Sequence, residues 1–556
     1  MVKRLFHRGF SLRTIKHWLV AHWPLFLLIG IIAILAFLNY QSNTQLIGWD
    51  NLQSDFNLDL NIRRAFFSVW QEYQSLGLLG GMAHAADITR LLFLSLLGRI
   101  GFPQTTLRYS WHFFALALGP ISTYFLLHHI FLKPKFDPQT KKIASFLGAL
   151  FYLLNLATLQ YFFTPYESFS SFYAFFPLLL LVVINYLDNP KPKETFVLVI
   201  TLLASTSAFY VQTLFLTFCL CLVPIVAIFF SNKKYSIKNK ILAFFGLVII
   251  IFSTQAFWLL PQVFFVLTKA NDISFSHVNL ISTIETYYRN LEYTNLRDFV
   301  LLRGFWFSFT DLAGGSKFDY LMTPWRNHLA NPIIAIIGYL AFALVVTGII
   351  YSLKKKLPYI KSFLGILTIC YFFLLGGSLL IDSKIPLIGE LFRSPFTKFS
   401  IPLALTYSIF FTVGCIFLLD LFSFLHSRLT YYLTLFTVTL ALVIFMTPAA
   451  TGNLISPTMR LKLPAEYGQL FDFFKNQDPA TRIANFPQYT FWGWNYYSWG
   501  YRGSGFLWYG IRQPILDRAF DVWERSSEKY YQEISTAIFS EDRAEFERLI
   551  DKYAVN

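Results

Sequence analysis

Apolar runs of about 18–22 residues recur along most of the chain, and short polar or lysine-bearing connectors separate them. Backbone polar groups cannot go unpaired in lipid, so runs of this kind must be helices. The spans read as 22–40, 108–132, 143–161, 169–187, 195–210, 212–230, 241–262, 330–352, 361–381, 400–422 and 430–447, about eleven in all. The segment 195–230 has a second reading, as one long tilted helix, which would invert everything after it. The lysines decide for a hairpin. Lys133, Lys135, Lys141 and Lys142, then Lys191 and Lys193, then Lys233, Lys234, Lys238 and Lys240, then Lys354, Lys355, Lys356 and Lys361 all fall on the side of the basic N-terminus only if the chain turns within 195–230. Positive charge collects in cytoplasmic loops, so the N-terminus is placed in the cytoplasm of a multi-pass cell-membrane protein.

This count leaves external loops at 41–107, 263–329 and 382–399, with a short turn at 164–168. Within 60–73, Ile62, Phe66, Val69, Trp70 and Tyr73 recur at helical spacing beside Arg63, Arg64 and Glu72, which predicts an amphipathic helix in the membrane interface. After residue 447 the pattern changes. Residues 448–556 carry denser charge and no apolar run of spanning length. Helices are expected at 464–475, 515–534 and 541–553, around an aromatic, Gly-rich stretch, 486–509, suited to short strands. The fold class is therefore an all-α polytopic membrane domain, 1–447, followed by a small α+β extracytoplasmic domain, 448–556. The last residues, Lys552 to Asn556, read as the entrance to a further strand, so that domain is expected to be incomplete.

Composition agrees with the pattern. Of 556 residues, 55% are hydrophobic and 14% charged, and the mean hydropathy is +0.49. The net charge of +15 sits in the lysine connectors and therefore points to topology, not to nucleic acid. Cys219, Cys221, Cys370 and Cys415 all lie inside apolar runs, so no external disulfide or thiolate metal site is expected. The first apolar stretch lacks a small-residue cleavage site and reads as a retained span.

Candidate chemistry sits in the external loops. Asp50, in Gly48-Trp49-Asp50-Asn51, is placed to act as a general base on a hydroxyl, or else to cap the helix that follows. Asp55 and Asp59 are four apart and could share a helix face. A divalent metal there is only weakly signalled, because the pair lacks a His or Cys partner. Between Lys16 and Lys133 there is no lysine, so the cations of the first loop, Arg63, Arg64, Arg90, Arg99 and Arg108, are all arginines. A planar guanidinium binds phosphate bidentately; the bland alternative is snorkelling to headgroups. Glu167 lies in the 164–168 turn, held near the membrane surface. Arg393 and Lys398, in Phe392-Arg393-Ser394-Pro395-Phe396-Thr397-Lys398-Phe399, are cations on the side where positive charge is scarce, and they suit a diphosphate, a headgroup or simple anchoring. The rings from Trp492 to Tyr501 suit either sugar stacking or core packing.

Taken together, the early Asp after the first span, the stretch from Gly48 to Arg90 with Gly77-Leu78-Leu79-Gly80-Gly81-Met82, and the Arg393/Lys398 motif resemble the GT-C superfamily of membrane glycosyltransferases. The likeness is to bacterial members related to the mycobacterial α-(1→3)-arabinofuranosyltransferase and the YfhO-type proteins. The tail from Pro464 to Tyr553 resembles the start of their external domain. The resemblance implies a polyprenyl-phosphate sugar donor, a glycan or glycolipid acceptor in the cell envelope, and no cofactor. It implies Asp50 as catalytic base and Glu167 as a second acid. Arg393 and Lys398 would bind the donor phosphate, with Arg63 and Arg64 in reserve. The rival classes are a lipid or polysaccharide transporter, which should show paired repeats and broken spans, and a non-catalytic scaffold for envelope assembly.

Overall fold

A computed structural model of the chain describes residues 23–67, 69–79, 83–130, 136–274, 295–312, 317–377, 391–392, 394–421, 428–488, 495–516 and 524–555. Each expected span carries a helix. Eight helices are long and apolar enough to cross a membrane, or nine if the bent pair Pro138–Leu153 and Leu156–Phe163 counts as one span. The difference from eleven lies in two short helices, Trp23–Asn39 with 17 residues and Pro192–Ala204 with 13. The protein is a multi-pass membrane protein.

The Pro395–Leu421 helix is the hub, with 89% of its apolar window buried. It packs most extensively on Pro332–Lys355. A Cβ on Gly348 or Gly414 would overlap the main chain of the facing helix, at Phe410 and Leu344 respectively. Lipid tails are as apolar as leucine, so helices in a membrane gain by close backbone approach, and small residues permit it. The bent pair has a local cause. Asn155 sits at the 45° break, where its Oδ1 accepts from the Thr158 amide at 3.0 Å. Its Nδ2 donates to the carbonyls of Phe151 and Tyr152 at 2.9 and 2.8 Å. One side chain thus serves both freed helix ends, as a break at membrane depth requires.

The two ends of the bundle differ. At one end the lysine-bearing connectors meet. The Tyr235 hydroxyl donates to the Asp188 carbonyl at 2.8 Å, Tyr359 donates to the Asp188 carboxylate, and the rings of His129 and Tyr359 lie 6.3 Å apart. At the other end lie the described residues of the first loop, the 164–168 turn, residues 296–312 and 317–329, the start of the Pro395–Leu421 helix and the described residues of the tail. The 3-10 turn Thr206–Tyr210 is at this second end, where Thr206 bonds Thr89 at 3.0 Å and Tyr210 bonds His84 at 3.2 Å. The chain therefore reverses between Pro192–Ala204 and Gln212–Ser231.

Two local expectations are corrected. The 60–73 helix is only Leu58–Phe66. Trp70–Gln71 then pairs antiparallel with Leu78–Leu79, closed by Gly77 at φ +84° beneath the Trp70 ring. Phe66, Val69 and Trp70 remain exposed, but Tyr73 turns away and stacks on Trp508 at 5.6 Å. In the tail, Ile515–Leu516 is not helical but a strand, parallel to Ile483–Ala484, and the Ser75 amide donates to the Ile515 carbonyl at 3.1 Å. Helices Ala465–Lys475, Arg525–Phe539 and Arg543–Lys552 follow the sequence pattern. Tyr497, Trp499 and Tyr501 surround Phe506 at 4.9–6.4 Å, so these rings form core; residues 492–494 lie outside the described set. That core takes in Ile47 and Leu52 of the first loop.

Candidate functional site

Asp50 is exposed at the tip of a turn whose neighbours are buried. Gly48 has φ +132° and Trp49 φ +51°. A bulky residue in left-handed space is a genuine outlier, held at a cost of about 1–3 kcal/mol by its surroundings, and such strain clusters at functional positions. The surroundings here come from the tail. The Trp49 amide donates to the Arg502 carbonyl at 2.7 Å, and the Ser504 amide donates to the Trp49 carbonyl at 3.1 Å. A Cβ on Gly503 would lie 2.6 Å from both the nitrogen and the oxygen of Trp49, so only glycine lets the two chains approach this closely. The Trp49 ring is buried against Trp306 and Phe309, each at 5.0 Å, and Tyr166 at 6.3 Å. With its neighbour's ring pinned inward, Asp50 points outward.

Beneath the turn lies a buried charged layer. The Leu52 amide donates to Glu167 Oε2 at 3.0 Å. Arg108 closes on Glu167 Oε1 through Nε at 3.0 Å and through Nη2, and lies 3.9 Å from the Asp55 carboxylate. Arg90 holds Asp87 at 2.6 and 2.8 Å and the Ser54 hydroxyl at 3.0 Å. Burial pushes the Asp55 carboxyl up to about 6, with the Arg108 guanidinium opposing. Burial alone would lower the Arg90 guanidinium, but the Asp87 carboxylate raises it above its ordinary value. The Tyr166 hydroxyl is driven well up, first by burial and then by the carboxylates of Asp50, Glu167 and Asp311. Three acids therefore converge electrostatically on this one tyrosine.

Asp50 is accessible. Glu167 is near it, through Leu52, but it is 2% exposed and both its oxygens are engaged inside the protein. The second acid expected from the resemblance thus lies buried behind the Asp50 turn. Asp55 is buried on Arg108 while Asp59 is exposed on the Leu58–Phe66 helix, so the metal pair inferred from their spacing is not formed. Among the described residues no group of three His, Cys, Asp or Glu side chains could hold a metal. Arg64, expected as a phosphate ligand, donates instead to the carbonyls of Trp508 and, at 2.8 Å, of Ile511. It also lies 3.8 Å over the Tyr73 ring, and burial lowers it to about 10. Arg63 is exposed. Lys398 is half-buried and donates to Thr397 Oγ1 at 2.8 Å; Arg393 lies outside the described residues.

The first turn of the Pro395–Leu421 helix, which carries Lys398, joins the same aromatic wall as Trp49. Tyr161 donates to the Phe396 carbonyl at 3.0 Å, and the Phe396 ring fills the space above Gly304. Phe305 then stacks on Trp306 at 4.6 Å.

Sequence reading missed Asp311 and Arg502, which pair at 3.0 Å. Their only signal was a lone acid beside the aromatic run Phe305–Phe309. It also missed Asn51 and Gln53, whose amide groups are buried and make no hydrogen bond among the described residues. A small cleft lies beside the turn, walled by Leu52, Ser54, Arg64, Tyr73, His84 and Trp508 among others.

This geometry can be set against known proteins. No protein-family model matches the sequence, and no curated protein matches it by sequence. The fold does match a solved structure, the arabinofuranosyltransferase AftD from Mycobacteria, with a TM-score of 0.55 over 88% of this chain at 12% identity. The fold resembles that of an arabinofuranosyltransferase. The chain spans 31% of that enzyme's length. Two structures of a mutant of the same enzyme align with TM-scores of 0.46 and 0.43. At this identity the likeness establishes fold alone.

Proposed function

We propose that the protein is an inverting membrane glycosyltransferase. It would take a glycosyl group from a polyprenyl-phosphate-linked sugar and place it on a glycan or glycolipid at the extracytoplasmic face. The observation that carries this reading is Asp50, an exposed carboxylate on a strained turn, anchored on both sides, at the end of the bundle opposite the lysine connectors. Asp50 takes the proton of an acceptor hydroxyl as that oxygen attacks the anomeric carbon. The new carbon–oxygen bond forms as the bond to the phosphate breaks, and the polyprenyl phosphate leaves with the electron pair. Lys398, with Arg393 five positions before it in sequence, offsets the charge of the leaving phosphate. The proton on Asp50 passes to solvent. Glu167 belongs behind the base and not against the substrate.

A transporter remains the reading from another class, and the bent pair at Asn155 is the feature that favours it. Yet residues 143–163 are buried throughout and Asn155 closes the break, so no transport path is lined there. The deciding experiment uses the purified protein in nanodiscs with a panel of synthetic polyprenyl-phosphoryl pentofuranosides and hexopyranosides. Release of free polyprenyl phosphate in the presence of envelope glycan acceptors is measured. Release by the wild type and none by a folded Asp50→Asn variant is expected. Equal release by both would refute Asp50 as the base.

A further inference from the structure

Asp50 makes its approach to substrate from a short stretch of main chain, so whatever fixes that stretch fixes the base. On its N-terminal side the tail holds Trp49. On its C-terminal side the hold comes from helices. The Leu52 amide is bound by Glu167 Oε2 at 3.0 Å, and the Asp55 carbonyl accepts from Gln104 at 3.0 Å. Arg90 reaches the Leu52 carbonyl at 3.5 Å and the Ser54 hydroxyl at 3.0 Å. Glu167 opens the Glu167–Asp188 helix, and Arg108 stands in the first turns of Gln104–Ile130. These two helices pack side by side. Glu167 divides its oxygens, one to the Arg108 guanidinium and one to the Leu52 amide. An ion pair serving only the helix–helix contact has no need to give an oxygen to a loop amide two residues from an exposed aspartate.

We propose that Glu167, held by Arg108, is a positioning residue for Asp50, acting through the Leu52 amide so that the packing of two membrane helices sets the reach of the base. This rests on the reading of Asp50 as base given above. Misplacement of a catalytic group by about 1 Å is enough to lose about 100-fold in rate. Glu167 touches no substrate, so its loss should lower kcat and leave the donor KM alone.

Removing Glu167 alone would leave the buried Arg108 guanidinium only the more distant Asp55 carboxylate, at 3.9 Å, and endanger folding. The main variant is therefore Arg108→Met/Glu167→Leu, which removes both charges and keeps the volume apolar. Glu167→Gln, with one acceptor oxygen for two tasks, is the conservative variant. Turnover is measured with whichever panel donor the wild type uses, and amide hydrogen exchange is followed over residues 49–56. The expected result is a folded double variant with kcat down about 100-fold, donor KM within about twofold, and faster exchange confined to that loop. Glu167→Gln should fall between it and the wild type. A double variant with undiminished kcat, or one whose KM rises in step with the loss, overturns the proposal. If the wild type turns over no donor, the glycosyltransferase reading falls instead. Exchange then decides alone whether Glu167 fixes the loop: faster exchange upholds that hold, and unchanged exchange refutes it.

Discussion

Replacing Asp55 by asparagine is expected to stabilise the protein at neutral pH, and to do so less as the medium is acidified. Asp55 is 6% exposed, and its Oδ1 makes no hydrogen bond among the described residues. Its nearest cation, Arg108 at 3.9 Å, is already closed on Glu167. Arg90 is likewise committed to Asp87. Two carboxylates thus share one guanidinium, and burial dominates, raising the Asp55 carboxyl from 3.8 to about 6. An acid with a raised folded-state pKa contributes stability that is present in full below the unfolded value of 3.8 and is lost as pH rises through about 6. About two units at about 1.4 kcal/mol each puts the ionised form about 3 kcal/mol above what it would be in water. Asparagine keeps the shape without the charge and should recover up to that amount. The assay is the thermal inactivation midpoint of wild type and Asp55→Asn in detergent, from about pH 4 to about pH 8. The difference should be near zero at the acid end and full above about pH 7. A constant offset would refute the burial argument. So would an asparagine variant less stable than wild type at the alkaline end, because ionised Asp55 would then be a net favourable partner for Arg108.

Gly503→Ala should force the tail away from Trp49, stretching two main-chain hydrogen bonds worth about 1 kcal/mol each. Turnover should fall at least about tenfold; a variant with normal melting and normal turnover would show that the tail does not hold the Asp50 turn. Topology is read by cysteine substitution of Lys234 and Glu541, both exposed, with a membrane-impermeant maleimide on intact cells. Only Glu541→Cys should react, and labelling of Lys234→Cys instead would invert the orientation drawn from the lysines.

The spans were legible because lipid leaves the backbone one choice, and the lysines were legible because they share one end of the bundle. The break at Asn155 was not, although an asparagine inside an apolar run is a sign that backbone groups need a partner. The pattern across 60–73 fitted a helical period, but its second half forms a hairpin. There the turn chemistry of Gly77 and the docking of Tyr73 on Trp508 outweighed periodicity. Asp50 could be named as a candidate because its place after a span is local information. The environment of Glu167 could not be read the same way. The sequence shows an acid in a short turn, but not that Arg108, 59 positions upstream, folds back onto it. The pair of Asp311 with Arg502 is hidden for the same reason.

The absence of lysine from the first loop now has a physical account that differs from phosphate binding. Three of its arginines are multi-donor struts. Arg64 serves two carbonyls of the tail, Arg90 serves Asp87, Ser54 and Leu52, and Arg108 serves Glu167 while facing Asp55. A lysine ammonium on a flexible stem offers no fixed fork, and could not satisfy such partners from one position. That duty removes Arg64 from the set available to a lipid phosphate. It leaves the exposed Arg63 and Arg99, too open to grip an anion strongly. Of the cations named from the sequence for the donor phosphate, Lys398 is the one among the described residues that is both half-buried and tied to the wall around Trp49. If a donor phosphate binds near Asp50 as proposed, Lys398 in the first turn of the Pro395–Leu421 helix is the described cation that best meets its charge, and the arginines of the first loop serve to keep the proposed base in place.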